Sequence, residues 1–241
     1  MIQFQQKFRR PTMEQRLTLY HGSDTIVNSP SLGGGKANND YGRGFYCTLR
    51  YDLACEWASK IKGRAGFVNQ YDLQTEGLKI LKLSKKKYNI LHWITLLLKN
   101  RTFVFSSPIS IQAREYLLAK FSVDTSEYDM IIGYRADDSY FSFAEDFLNN
   151  TISVQHLANA MKLGKLGLQH VLISEKAFSQ LTFLEAEPVD TEKYNILYAK
   201  RDLMARNTYK TSKADLTTNP NELYILDIIR GEIKNGDPRL S

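Results

Sequence analysis

Within residues 128–136, YDMIIGYRA, the segment 130–134 is an unbroken apolar run closed by the polar residues Asp129 and Arg135. A half-exposed strand alternates apolar with polar residues, so a short continuous run marks a strand buried on both faces. Any fold that holds it must cover both sides of a sheet. The neighbouring segments offer the means. LTLYHGS (17–23) reads as a strand running into a turn, SPSLGGGKANND (29–40) as a loop without periodicity, and GFYCT (44–48) as a second β-rich run. In YDLACEWASKI, Leu53, Trp57 and Ile61 recur at helical spacing, with Tyr51 and Asp52 at the helix start. FVNQYDL (67–73) and LKILKL (78–83) alternate around the turn TEG and predict a pair of antiparallel strands.

A helical tract over about 87–121 is broken at FSSP before Pro108, and Ile90, Trp93, Ile94 and Leu97 form its apolar face. ISVQHLANAMKLGKLG predicts a helix ended by glycines, and QHVLISEKAFSQLTFLEAEPV a strand, a short helical turn and another strand. From Asp190 the chain turns to charged residues and helix formers, with a polar loop TSKADLTTNPNE and a final amphipathic LYILDIIRGEI; there is no internal repeat. This divides the chain into a polar leader (1–16), an α+β domain (17–188) and a helical C-terminal extension (189–241) packed on the domain.

Composition narrows the class. The 241 residues are 43% hydrophobic and 24% charged, the usage of a folded globular protein with a full core. The net charge of +6 suits anionic ligands, and the one dense run, KLSKKK (82–87), is open to two readings, a solvated face or a nucleic-acid patch. Cys47 and Cys55 fall in segments pointing inward, which predicts buried thiols in a reducing compartment. Four dispersed histidines and no CxxC pair give no expectation of a metal site. The longest apolar helix, ILHWITLLL, is half a membrane span, and the N-terminus has no secretory apolar run, so the expectation is a cytoplasmic protein without membrane contact.

Three segments far apart in sequence each place a polar residue on a short strand: YHGS (20–23), NNDYGRGFYCT (38–48) followed by YDLACEWA, and LQHVLISEKA (168–177). Their order and content resemble the His-Tyr-Glu branch of the ADP-ribosyltransferase superfamily, which includes poly(ADP-ribose) polymerases and diphtheria toxin, over residues 17–188. Overall the chain looks most like a bacterial family of that clan. The resemblance implies an α+β fold with a split mixed β-sheet core and flanking helices. It implies NAD as substrate, release of nicotinamide, no metal, and transfer of ADP-ribose to a macromolecular acceptor, protein or nucleic acid. Bacterial members of this kind are similar to toxin components of toxin–antitoxin or phage-defence loci, which implies an antitoxin partner.

By that resemblance His21 contacts the adenosine ribose, and the Gly22 backbone, flanked by Tyr20 and Ser23, holds the nicotinamide amide. A carboxamide offers a donor and an acceptor, and a backbone without a side chain can satisfy both at close range. The resemblance also implies that Tyr46 stacks on the nicotinamide ring. Trp57 is the second wall of that slot or a core anchor of its helix, and Ala54 stands where the polymerases carry a small hydroxyl residue. Asn38, Asn39 and Asp40 shape the turn into the second strand; the resemblance lets this loop, with Asn39 and Gly44, cover the NAD diphosphate, with Arg43 or Lys36 as phosphate contact.

By the same resemblance Gln169 stands in the place of the family's catalytic glutamate. Glutamine can hold the ribose hydroxyl but cannot supply charge to an oxocarbenium ion, so another acid is needed for turnover. Asp137 and Asp138, after the buried strand, are that acid or the caps of the helix that follows. Glu175 lies at the far end of the third strand, too distant to replace Gln169. His92, His156 and His170 read as surface residues. Without an acid the chain would be an NAD- or ADP-ribose-binding module, or an interaction protein that keeps only the fold.

Overall fold

The computed structural model describes residues 15–84, 87–105, 107–135, 138–214 and 222–240, with the backbone alone at 138–140. Its centre is the strand Met130–Tyr134, in which every residue but the last is buried. Met130 and Ile132 face a core shared with Leu19, Phe45, Tyr71, Leu73 and Leu172, while Ile131 faces a larger helical core with Trp93, Leu97, Phe143 and Val171. The continuous apolar run therefore serves two cores, one on each side of its sheet.

In chain order the strands are β1 (Arg16–Ser23), β2 (Phe45–Cys47), β3 (Phe67–Gln74), β4 (Ile80–Lys82), β5 (Met130–Tyr134), β6 (Leu168–Leu172) and β7 (Leu181–Pro188). The helices are α1 (Tyr51–Ala58), α2 (Ile90–Asn100), α3 (Pro108–Lys120), α4 (Asp138–Leu148), α5 (Val154–Ala160), α6 (Glu175–Ser179), α7 (Thr191–Ala214) and α8 (Ile225–Arg230). They build a mixed α+β fold with two sheets, ordered β1-β3-β7 and β2-β6-β5-β4. All pairings are antiparallel except β4 with β5. Among the described residues the sheets meet at one bridge, where the Tyr20 and Thr48 backbones exchange two hydrogen bonds of 2.8 and 2.9 Å.

Local chemistry sets the helix ends. Asn89 caps α2, Ser107 with Pro108 opens α3, and Ser153 and Ser174 cap α5 and α6. Residues Ile90–Leu98 of α2 are all buried, because α3 and α5 cover faces that an amphipathic helix would leave to water. Cys47 and Cys55 are buried free thiols, and burial raises the pKa of both. No helix among the described residues is long and apolar enough to cross a membrane.

Two expectations are corrected. FVNQYDL and LKILKL do not pair: β3 is the central strand of one sheet and β4 a parallel edge of the other. Their alternation reports half-buried strands, not the identity of the partner. Ile61 is not on the inner face of α1, which stops at Ala58 with Ser59 as its C-cap, and Ile61 is 54% exposed.

The C-terminal helices touch the body at defined points. Asn195 Nδ2 donates to Ser59 O at 2.8 Å, and Arg201 Nε to the buried Glu56 at 2.8 Å. Tyr209 Oη donates to Asp146 at 2.6 Å, and Ile225, Ile228 and Ile233 enter the helical core.

Helix α1 lies against β1 at backbone distance, since a Cβ added to Gly22 would meet Ala54 O at 1.9 Å and Ala58 N at 2.8 Å. Two backbones cannot yield as a flexible side chain does. Gly22→Ala is expected to destabilise the protein by at least about 3 kcal/mol, the upper range of core overpacking, read by urea unfolding.

Candidate functional site

Beyond the Tyr20–Thr48 bridge the two sheets part. In an antiparallel ladder hydrogen-bonded pairs recur every second residue, so the next pair after Tyr20–Thr48 would join Gly22 and Tyr46. The Tyr46 carbonyl instead accepts from His21 Nδ1, at 2.8 Å. The imidazole occupies the place of a ladder partner and lies tilted on Phe45, with ring centroids 4.5 Å apart. Burial lowers the His21 pKa, while the bond to Tyr46 opposes this. The neutral ring that donates from Nδ1 leaves Nε2 as an acceptor. The same alternation turns the Gly22 N–H and C=O away from β3, toward the gap that β2 vacates.

That gap is a cleft of about 710 Å³. Its walls hold His21, Gly22, Ser23, Gly44, Phe45 and Tyr46 from the parting strands, Lys36, Asn39 and Asp40 from the following loop, Trp57 and Lys60 from α1, and Arg101, Arg135 and Gln169 from the helical side. Asn69 of β3, opposite His21, is fully buried and fixes the corner. Its Oδ1 accepts from Val27 N at 2.7 Å, and its Nδ2 donates to Ser23 Oγ at 3.1 Å and to His21 O at 3.3 Å.

The loop before β2 is strapped to the body at several points. Tyr46 Oη donates to Gly42 O at 2.7 Å and accepts from Tyr41 N at 3.0 Å. Gly42, at φ +77°, makes the turn and sits beside Asn100, whose Nδ2 donates to Asp40 O at 3.3 Å. Tyr41 Oη donates to Tyr134 O at 2.5 Å over Gly133, where any Cβ would lie 2.3 Å from that hydroxyl. These contacts place the Asp40 side chain inside the cleft, 5% exposed, where its Oδ2 accepts from Gln169 Nε2 at 2.9 Å and its Oδ1 lies 3.7 Å from Arg101 Nε. Tyr46 is held neutral by burial and secondarily by the nearby Asp40 charge, both raising its pKa.

The structure thus gathers His21, Gly22, Ser23, Asn39, Gly44, Tyr46, Trp57 and Gln169, all expected from sequence, into one cleft. It corrects others. Tyr20 is not in the cleft: strand alternation turns it with Gly22 toward α1, where it meets Tyr51 edge-on and packs near Ala54 and Cys55. Arg43 is exposed outside the cleft wall, and the cations that line it are Lys36, Lys60, Arg101 and Arg135. Trp57 is no bare wall, since the Arg135 guanidinium stacks over its ring at 3.6 Å from the centroid. Asp40 is more than a turn former. Asp137 lies outside the described residues; Asp138 begins α4, and its side chain also lies outside them. Glu175 is exposed on α6, away from the cleft. His92 and His170 are buried, not on the surface.

Asp40, Lys60, Asn69, Arg101 and Arg135 are among the site residues that sequence reasoning missed. Asp40 sat inside the motif already singled out, one residue before Tyr41, and Arg135 at the end of the buried strand. Neither Asn69 nor Arg101 carries a local signal.

The chain belongs to the DUF3990 family, described as a protein of unknown function, which it matches over residues 17–183. That span contains every residue of the cleft wall. No curated protein and no solved structure matches the chain.

All four histidines are shifted below the ordinary 6.5 chiefly by burial, His170 to about 4. A folded-state pKa below the unfolded one means the unfolded chain binds protons more readily, so this stability is complete above pH 6.5 and lost as pH falls toward 4. His170 alone is expected to remove about 3 kcal/mol between pH 7 and pH 4. Urea unfolding across that range checks it, with a flatter profile expected for His170→Gln.

Proposed function

We propose that this chain is an NAD-dependent ADP-ribosyltransferase. The observation that carries the reading is the parting of β1 and β2, which opens the Gly22 backbone donor and acceptor to a cleft that also holds His21, Tyr46 and Gln169. A nicotinamide carboxamide needs one donor and one acceptor at close range, and Gly22 offers both without a side chain between. The ring then lies on the Tyr46 side, where the strapped hydroxyl keeps the aromatic plane fixed. His21 Nε2 accepts from a ribose hydroxyl. Lys36, Lys60, Arg101 and Arg135 give the cleft the positive field that a diphosphate requires.

In this reaction the bond between ribose C1′ and the nicotinamide nitrogen breaks with its electron pair going to the nitrogen. The neutral base leaves, and C1′ takes on oxocarbenium character. A nucleophilic atom of the acceptor forms the new bond to C1′ and gives up its proton. The protein's part is to orient C1′, hold the ribose hydroxyl and exclude water. The split-sheet core of the ADP-ribosyltransferase kind is part of the same reading. It extends to a macromolecular acceptor and a bacterial effector role of the toxin–antitoxin or phage-defence kind, with an antitoxin as partner.

The test is incubation of the full chain with adenylate-labelled NAD and cell lysate. Nicotinamide release and label transfer are expected, with kcat/KM lowered about tenfold or more in Tyr46→Ala from lost stacking. No release and no transfer by the wild type would sink the reading. An NAD-dependent rise in Tm without product would select a binding module instead.

A further inference from the structure

The cleft contains a buried carboxylate in contact with the residue that stands where a catalytic acid is expected. Asp40 is 5% exposed, lines the cleft, and accepts a 2.9 Å hydrogen bond from Gln169, itself 4% exposed. A carboxylate only accepts, so the amide nitrogen of Gln169 must face Asp40 and its Oε1 must point elsewhere. From the side chains and loop that place this pair, we propose that Asp40 and Gln169 divide between them the work of one catalytic glutamate. Gln169 Oε1 accepts the hydroxyl of the nicotinamide ribose, and the Asp40 carboxylate supplies the negative charge and the proton acceptor.

The arrangement has a physical logic. Two neighbouring carboxylates would repel in so buried a place, whereas a carboxylate beside an amide donor is stabilised by it. Arg101, with its Nε 3.7 Å from Asp40 Oδ1, offsets part of the burial cost. The loop is braced by Asn100, Tyr46 and Tyr41, so the carboxylate is held in place before substrate arrives. As nicotinamide leaves with the electron pair of its C1′–N bond, positive charge develops at C1′ and Asp40 faces it. When the acceptor's lone pair bonds to C1′, its proton passes to Asp40 and thence to solvent, which restores the carboxylate.

This rests on the NAD reading, and the experiment separates the two. Nicotinamide release is measured at saturating and limiting NAD for the wild type, Asp40→Asn, Gln169→Glu, and the swap Asp40→Asn/Gln169→Glu, each with its Tm. Asp40→Asn preserves shape and can still bond the amide of Gln169, so kcat should fall by about 10²–10³-fold, as for loss of one charge-stabilising group, with KM within about threefold. The swap returns one carboxylate to the pair beside Arg101 and should recover at least about tenfold of that loss. A purely structural Asp40 would move Tm and leave the kcat of folded protein unchanged.

Wild-type kcat in folded Asp40→Asn overturns the division of labour while leaving NAD turnover intact. A wild type that releases no nicotinamide overturns both. Should Asp40→Asn not fold, the swap decides alone: activity within about a hundredfold of wild type supports the proposal, and a folded swap with less than that overturns it.

Discussion

Among the described residues the two sheets are joined by one pair of backbone hydrogen bonds, between Tyr20 and Thr48, and the structure around the cleft follows from how that ladder ends. One step further on, the imidazole of His21 takes the Tyr46 carbonyl that Gly22 would otherwise bond. A side chain wider than a ladder bond cannot occupy that place unless the strands stand apart. β1 then continues with β3, β2 continues with β6, and the space between them is the cleft. Gly22 is under pressure from the other side as well, because α1 approaches it at backbone distance. The same residue is thus pressed by a helix on one face and open to a ligand at its edge.

The second constraint is the loop before β2. Its residues 38–44 have no regular structure, yet three elements hold it: the Asn100 and Arg101 side chains at the end of α2, the Tyr46 side chain of β2, and the Tyr134 carbonyl of β5, which accepts from Tyr41. Gly133 is glycine because Tyr41 crosses above it. A buried carboxylate at the tip of an unbraced loop would turn outward to water, so the bracing is the condition for Asp40 to stay inside. The helical half of the fold, whose core is centred on Trp93 and Leu97, acts on the cleft through these contacts and through Trp93 Nε1, which donates to Tyr134 O at 3.2 Å.

The remaining wall, α1, is set by the C-terminal helix. Glu56 and Ser59 flank Trp57 and Ala58, and α7 grips both, through Arg201 and Asn195. Trp57 is then fixed between this grip and the stacked guanidinium of Arg135. A ligand that uses the indole face covered by Arg135 must displace that cation. The positive charge on the wall is therefore partly committed to aromatic and carboxylate contacts, and its field toward an anion is that of a shaped cluster more than of loose lysines.

Much of this was legible in the residues themselves. The run 128–136 declared a strand buried twice over, the breaks at Pro108 and at the glycines after Ala160 were local, and GRGFYCT with its following helix announced a strand and helix in the right order, because periodicity and turn chemistry act within a few residues. His21, Gly22, Tyr46, Trp57 and Gln169 were readable as one group only through the order of their motifs. Which strands pair was not readable: alternation tells a strand which face is buried and nothing about its neighbour, so β3 and β4 went to different sheets. Nor could sequence bring Asp40 to Gln169, 129 residues away, or Arg135 to Trp57. Those meetings depend on where whole elements come to rest, and that is settled by the packing of two cores, a property of the folded chain and of no segment within it.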